Sequence, residues 1–213
     1  PVNATLGSPA SHTYTIQDND TPSTPKTIGN TTVFGTASTS TNRRALPVTM
    51  TENGTLQSVT MYHGAGTGNM ILAVYGSGTN GRPGALLGVT ASTAVNGTAG
   101  WQTIPLTSPV NVSAGTTIWL AWVYQNTVTT YYKAGTPGRV DAGVGWSGGM
   151  PDPFGTGTQS NTIYSIYATY TVSQTKALAD IATWFASASA DENQQESGSP
   201  QEFYVDAIHK GEQ

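Results

Sequence analysis

From Thr31 to Val172 apolar and polar residues alternate in short runs, and each run stops at a turn rich in Gly or Asn. The period of two predicts strands at TTVFG (31–35), LPVTM (46–50), TLQSVTMY (55–62), NMILAVYG (69–76), LLGVTA (86–91), WQTIPL (101–106), PVNV (109–112), TTIWLAWVYQ (116–125), VTTYY (128–132) and IYSIYATYTV (163–172). The intervening ENG, GAGTG, GSGTNGRPG, NGTAG and SAG supply the residues that tight turns require. Many short strands at this spacing predict an all-β domain over residues 28–172, an antiparallel β-sandwich of jelly-roll-like type.

Two runs depart from simple alternation. TTIWLAWVYQ sets Ile118, Leu120, Trp122 and Tyr124 on one face and Trp119, Ala121 and Val123 on the other. A strand apolar on both faces is central, with its second face covered or used. IYSIYATYT sets Tyr164, Ile166, Ala168 and Tyr170 against Ile163, Ser165, Tyr167 and Thr169, and the two runs are expected as neighbours in the core. Val74, Leu120, Trp122, Ile166 and Ala168 form the expected core, and Trp101 and Trp119 are read as core from their strand patterns. Between VTTYY and NTIYS lie 28 residues, Lys133 to Ser160. That is too long for a plain turn, and its Trp146, Met150 and Phe154 predict that it packs down.

Both flanks carry elements without an obvious partner. In HTYTIQDND (12–20), His12, Tyr14 and Ile16 share one face of an orphan strand that ends in acids, and residues 21–27 read as a linker. In residues 173–213, Leu178, Ile181, Ala182 and Phe185 fall at helical spacing and predict a short helix within 176–189, while EFYVDAIHK reads as a strand or a short helix. The chain opens at Pro1 without Met and is read as a processed product or fragment.

Composition narrows the function. Charged residues make up 9% of the 213, and net charge is -4. Residues 28–172 hold five cations against three acids, and residues 173–213 hold two against seven. There is no basic footprint for nucleic acid and no apolar run near the roughly 20 residues of a membrane span. The absence of cysteine fits a secreted module and the cytosol equally well.

Catalytic constellations are sparse. His12, His63 and His209 are far apart, and Glu52, Asp141 and Asp152 are the only acids of residues 28–172. Asp141 and Asp152 share the long loop, where they read as a convergent pair or, more simply, as solvated turn residues. The expectation is a chain that is not an enzyme. Binding chemistry is better represented. Sugar-binding sites stack pyranose rings on aromatic side chains and bind hydroxyls with polar neighbours. Tyr131, Tyr132, Arg139, Asp141, Trp146 and Asp152, all in or beside the long loop, are the candidate ligand residues, with Trp146 open to loop packing as well.

Residues 4–20, ATLGSPASHTYTIQDND, resemble the closing strand of a Calx-beta domain, an extracellular β-sandwich family that often binds calcium at one end. The resemblance places Asp18 and Asp20 at calcium-contributing positions and makes calcium the one cofactor to consider. Residues 28–172, with GNTTVFG, NRRALPVTM, GTGNMILAVYG, AGWQTIPL, GTPGR and WSGGMP, are similar to a β-sandwich module of large secreted bacterial proteins. That similarity implies an extracellular or cell-surface location and an architecture, without a ligand.

Two functions of different class follow as expectations. One is a non-catalytic binding or adhesion module for a glycan or surface polymer. The other is a subunit of an extracellular filament or surface assembly, self-associating by donation of the strand that carries His12, Tyr14 and Ile16 to a neighbour's sheet edge.

Overall fold

The computed structural model describes residues 24–172. The orphan strand with His12, Tyr14 and Ile16, the acids Asp18 and Asp20, and the helix expected in 173–213 lie outside these residues. The described strands are β1 (Lys26–Gly29), β2 (Thr36–Ser40), β3 (Arg44–Thr49), β4 (Gly54–His63), β5 (Asn69–Ser77), β6 (Pro83–Val89) and β7 (Thr93–Ala94). They continue with β8 (Gly100–Val112), β9 (Thr117–Tyr124), β10 (Val128–Ala134), β11 (Val140–Asp141), β12 (Thr158–Gln159), β13 (Thr162–Tyr164) and β14 (Ile166–Val172). No α-helix occurs among the described residues, and no helix there is long and apolar enough to cross a membrane.

All pairings are antiparallel and build two sheets. The first runs β1-β14-β4-β10-β13, with β8 on β4 and β2 on β10; the second runs β12-β11-β3-β9-β5-β6, with β7 on β5. Leu46, Leu72, Val74, Leu120 and Trp122 of the second sheet meet Leu56, Val59, Met61, Ile166 and Ala168 of the first in one core. The five expected core residues are all at most 1% exposed. Alternation explains this, since each strand turns one row inward.

The strand β9 is buried on both faces, as its sequence requires. Its Leu120–Trp122–Tyr124 row joins the core between the sheets. Trp119 and Ala121 join a second cluster with Ala45, Ala73, Tyr75, Val140 and Phe154 on the outer side of the second sheet. The cover is the long loop. Phe154 is fully buried with its ring edge-on to Tyr75 at 5.1 Å, and Met150 packs at the margin of the cluster.

The loop is tied down by hydrogen bonds. Arg43 is buried beneath it, with Nη1 donating to Gly149 O at 3.1 Å and Nη2 to Phe154 O at 2.8 Å. Its guanidinium lies 4.8 Å from the Phe154 ring centroid. Burial lowers the pKa of this arginine, which has carbonyl and ring partners rather than a carboxylate. Tyr75 Oη donates to Pro151 O at 2.9 Å, and Asp152 Oδ1 accepts from Leu86 N at 3.0 Å.

Several expectations are corrected. TTVFG is a loop, and the strand follows it at Thr36–Ser40. WQTIPL and PVNV are one strand, bent by a register shift opposite Leu56 and Ser58. The last run divides at Ser165, whose Oγ accepts from Phe34 N. β9 and β14 are not partners in one sheet; they belong to opposite sheets and meet across the core. β1 begins at Lys26, inside the stretch read as linker. Trp101 is not core but half-buried on an outer face.

Replacing Phe154 by Ala should cost about 3–5 kcal/mol, the range for emptying a buried aromatic site. Urea denaturation measures it. A cost of about 0.5 kcal/mol, as at an ordinary surface position, would mean that the loop does not form a real third layer.

Candidate functional site

The expected ligand residues do not converge. Tyr131 and Tyr132 are consecutive on β10, so their side chains leave opposite faces of the sheet. Tyr132 packs against the core and stacks on Tyr164 at 5.5 Å, while Tyr131 faces outward. Arg139 and Asp141 do meet, at 3.3 Å, but inside a structural network. Asp141 Oδ2 also accepts from Arg44 Nε at 2.9 Å, and its Oδ1 accepts from Asn42 Nδ2 at 3.0 Å and Gly143 N at 2.9 Å. Arg44 Nη1 donates in turn to Tyr164 Oη at 3.1 Å. Asp152 is exposed, and its Oδ1 accepts from the Leu86 amide. Trp146 sits half-buried in the 3₁₀ turn Trp146–Gly148, beside the carbonyls that Arg43 holds.

Asp141 therefore holds the loop with both carboxylate oxygens and Asp152 with one. His63 is likewise a packing residue: it is fully buried, with Nδ1 2.7 Å from Gly64 O and Nε2 2.8 Å from Gln102 Oε1. No group of three or more potential metal ligands assembles among the described residues.

The outer face of the first sheet instead gathers four aromatic rings. Tyr62 of β4 stands in register with Trp101 of β8, ring centroids 5.3 Å apart. Tyr62 also meets Tyr131 of β10 at 5.1 Å, and Trp101 meets Tyr167 of β14 at 5.2 Å. All three contacts are edge-to-face, the geometry that ring quadrupoles favour. The rings form one row, Tyr131–Tyr62–Trp101–Tyr167, drawn from four strands. The Trp101–Tyr167 contact crosses β4, so Thr60 beneath it is fully buried and bonds to Thr103 Oγ1 at 2.9 Å.

Every ring of the row is half-buried and keeps a solvent-facing part. The hydroxyls of Tyr75 and Tyr170 donate to protein acceptors, whereas those of Tyr62, Tyr131 and Tyr167 have no hydrogen bond among the described residues. Lys133, two residues along from Tyr131 on the same face, is drawn onto the Phe34 ring at 4.8 Å. The row is therefore uncharged, with apolar edges and free hydroxyls.

Its position matters as well. Lys26 pairs with Tyr170, and Gly54 with Val172, so the described chain enters and leaves side by side at one end of the sheet. β4 runs from that end to His63, and Tyr62 and Tyr131 lie at the far end.

Sequence reasoning included Tyr131 but missed Tyr62, Trp101 and Tyr167. The signal for Trp101 was present. Ile104 and Leu106 share the parity of Gln102, so if they face inward Trp101 faces out.

No protein-family model matches the chain, and no curated protein matches it. Among solved structures, the clostridial cysteine protease Cwp84 after propeptide cleavage is similar at a TM-score of 0.51 and 13% identity. The match covers 70% of this chain and 40% of that one, so the chain spans well under half the length of that neighbour. Identity this low makes the likeness one of fold. A structure of infectious bursal disease virus, Gt strain, aligns over 81% of this chain and 41% of that one at 13% identity and a TM-score of 0.28.

The Asp141 network yields a pH-dependent prediction. Burial alone would raise the pKa of this carboxyl, but the Gly143 amide, Arg44 and Arg139 outweigh it and the net shift is downward. A depressed carboxyl pKa adds stability above the unfolded value, about 3.9, and that stability is lost as pH falls through the folded value. Asp141→Asn should therefore be less stable than the parent at pH 7, with the gap closing as pH falls below about 4. Urea melts at pH 7 and pH 3 test this. A gap that stays constant would rule out charge as its origin.

Proposed function

We propose that this chain is a non-catalytic binding or adhesion module, and that the Tyr131–Tyr62–Trp101–Tyr167 row is its ligand surface, with a glycan as ligand. The row itself carries the reading. A sugar presents C–H faces and hydroxyl groups together, and the row offers ring surface together with tyrosine hydroxyls that have no partner among the described residues. Among the described residues the row lies away from the end where the chain enters and leaves, a place suited to a tethered module.

The jelly-roll-like sandwich and an extracellular or cell-surface setting belong to the same reading, supported by the charge-poor, Thr-rich composition and the resemblance to secreted bacterial modules. The clostridial neighbour is a cysteine protease, and this chain holds no cysteine to serve as nucleophile. Calcium has no support within residues 24–172, and the acids Asp18 and Asp20 fall outside them.

Native affinity gels cast with soluble neutral polysaccharides test the proposal. Trp101→Ala should weaken retardation markedly. Because Trp101 also covers Thr60, a second variant separates binding from packing. Tyr62, Tyr131 and Tyr167 changed together to Phe keep the ring contacts, so the melting temperature should hold. Affinity should fall by roughly three- to tenfold for each hydroxyl that reaches the ligand, from about 1 kcal/mol per net hydrogen bond. Trp146→Ala should leave retardation unchanged. If Trp146→Ala abolishes binding and the row variants do not, the site belongs to the loop and the assignment is wrong.

A further inference from the structure

We infer a second binding site on the opposite sheet, a groove that takes a short stretch of uncharged saccharide. It lies on the outer side of the second sheet, beside the part the long loop covers, and has a volume of about 420 Å³. Sites for small ligands run from about 300 to 1,000 Å³. β3 and β9 supply the floor, where Pro47 pairs with Trp119 and Thr49 with Thr117. Pro137 and Gln159 close one side, from the two strands of loop that leave and rejoin the sheet, and Gly81 of the β5–β6 turn closes another.

The lining argues the ligand. No lining residue is charged, so an ionic ligand would be desolvated there without a counter-charge. The exposed Pro137 ring gives apolar contact at the side, over a base where Pro47 and Trp119 are buried. Polar groups are interspersed among them. Thr49 and Thr117 share one hydrogen bond at 2.9 Å, which leaves each hydroxyl spare capacity. Ser77 Oγ accepts from Trp119 Nε1 at 2.9 Å and donates to Thr117 O at 3.1 Å, which fixes the indole at the base. The Gln159 side chain is exposed and has no hydrogen bond among the described residues. Neutral hydroxyls and a carboxamide set among apolar rings match a sugar's alternation of C–H and O–H.

The groove and the aromatic row share no residue and face away from each other, with two sheets between them. Because the sites lie on opposite outer faces of two packed sheets, a saccharide seated in one does not run straight into the other. A module filled on both faces would bridge two polymer chains.

The same affinity gels, with β-glucan, xyloglucan, galactomannan and arabinan as probes, separate the two sites. Thr49 is exposed and lies in a strand, where Trp is well tolerated, so Thr49→Trp fills the groove while the fold persists, as an unchanged melting temperature would verify. We expect Thr49→Trp and Trp101→Ala each to weaken retardation by one and the same polymer, their combination to abolish it, and turbidity of that polymer with the parent protein to disappear in either single-site variant. Retardation unaffected by Thr49→Trp with every polymer overturns the groove while leaving the row intact. Weaker retardation in Thr49→Trp, with retardation by every polymer unchanged in Trp101→Ala, upholds the groove and overturns the row. If the parent is retarded by no polymer, or if a proline-rich peptide competes for the groove and saccharides do not, the inference is wrong.

Discussion

The rest of the structure depends on one constraint: β9 is apolar on both faces. Ile118, Leu120, Trp122 and Tyr124 satisfy one face in the core between the sheets. Trp119 and Ala121 would otherwise stand in water, and a Trp side chain alone exposes well over 100 Å² of largely apolar surface. At roughly 25 cal/mol per Å² that exposure costs several kcal/mol, so a third layer has to form. The 28 residues between VTTYY and NTIYS provide it. Phe154 fills the space over Tyr75, and Arg43 takes up carbonyl groups that the descending loop would otherwise bury without partners.

This use of the loop decides which residues can bind. A loop that covers apolar surface must satisfy its own polar groups inward, and the candidate acids on it take part in doing so. Asp141 serves Arg44, Arg139, Asn42 and Gly143; Asp152 serves Leu86. Length in a loop often marks function, but here the length spans a sheet face and the chemistry is structural. The free aromatic surface is found where no segment among the described residues covers a sheet.

Fold class, core and the two-faced character of β9 were legible because they rest on a period of two read over many residues. Pairing was not. β9 and β14 look alike as strings, yet one is central to the second sheet and the other to the first. Nothing local distinguishes two apolar strands facing across a core from two bonded side by side. The short strands β1, β2, β11 and β12 also escaped, since Thr- and Ser-rich edge segments such as TASTS bury too little to show a pattern. The candidate site was only partly legible, because proximity in sequence grouped Tyr131 with Tyr132 although the pleat sends them to opposite faces. The true neighbours of Tyr131 come from three other strands, and only registers assemble them.

The two outer faces answer the same problem differently. The second sheet hides its surplus aromatic surface under chain, with Trp119 left only 2% exposed. The first sheet leaves its surplus rings to cover one another, each half in water, and buries Thr60 beneath them. Mutual edge-to-face contact recovers part of the lost burial, about 0.5–1.5 kcal/mol per pair beyond area. It does not remove the remaining ring surface from solvent. A face stabilised this way needs no cover from the described residues yet still gains from acquiring one. That residual gain is available to a ligand that lays apolar surface on the rings and offers acceptors or donors to their hydroxyls.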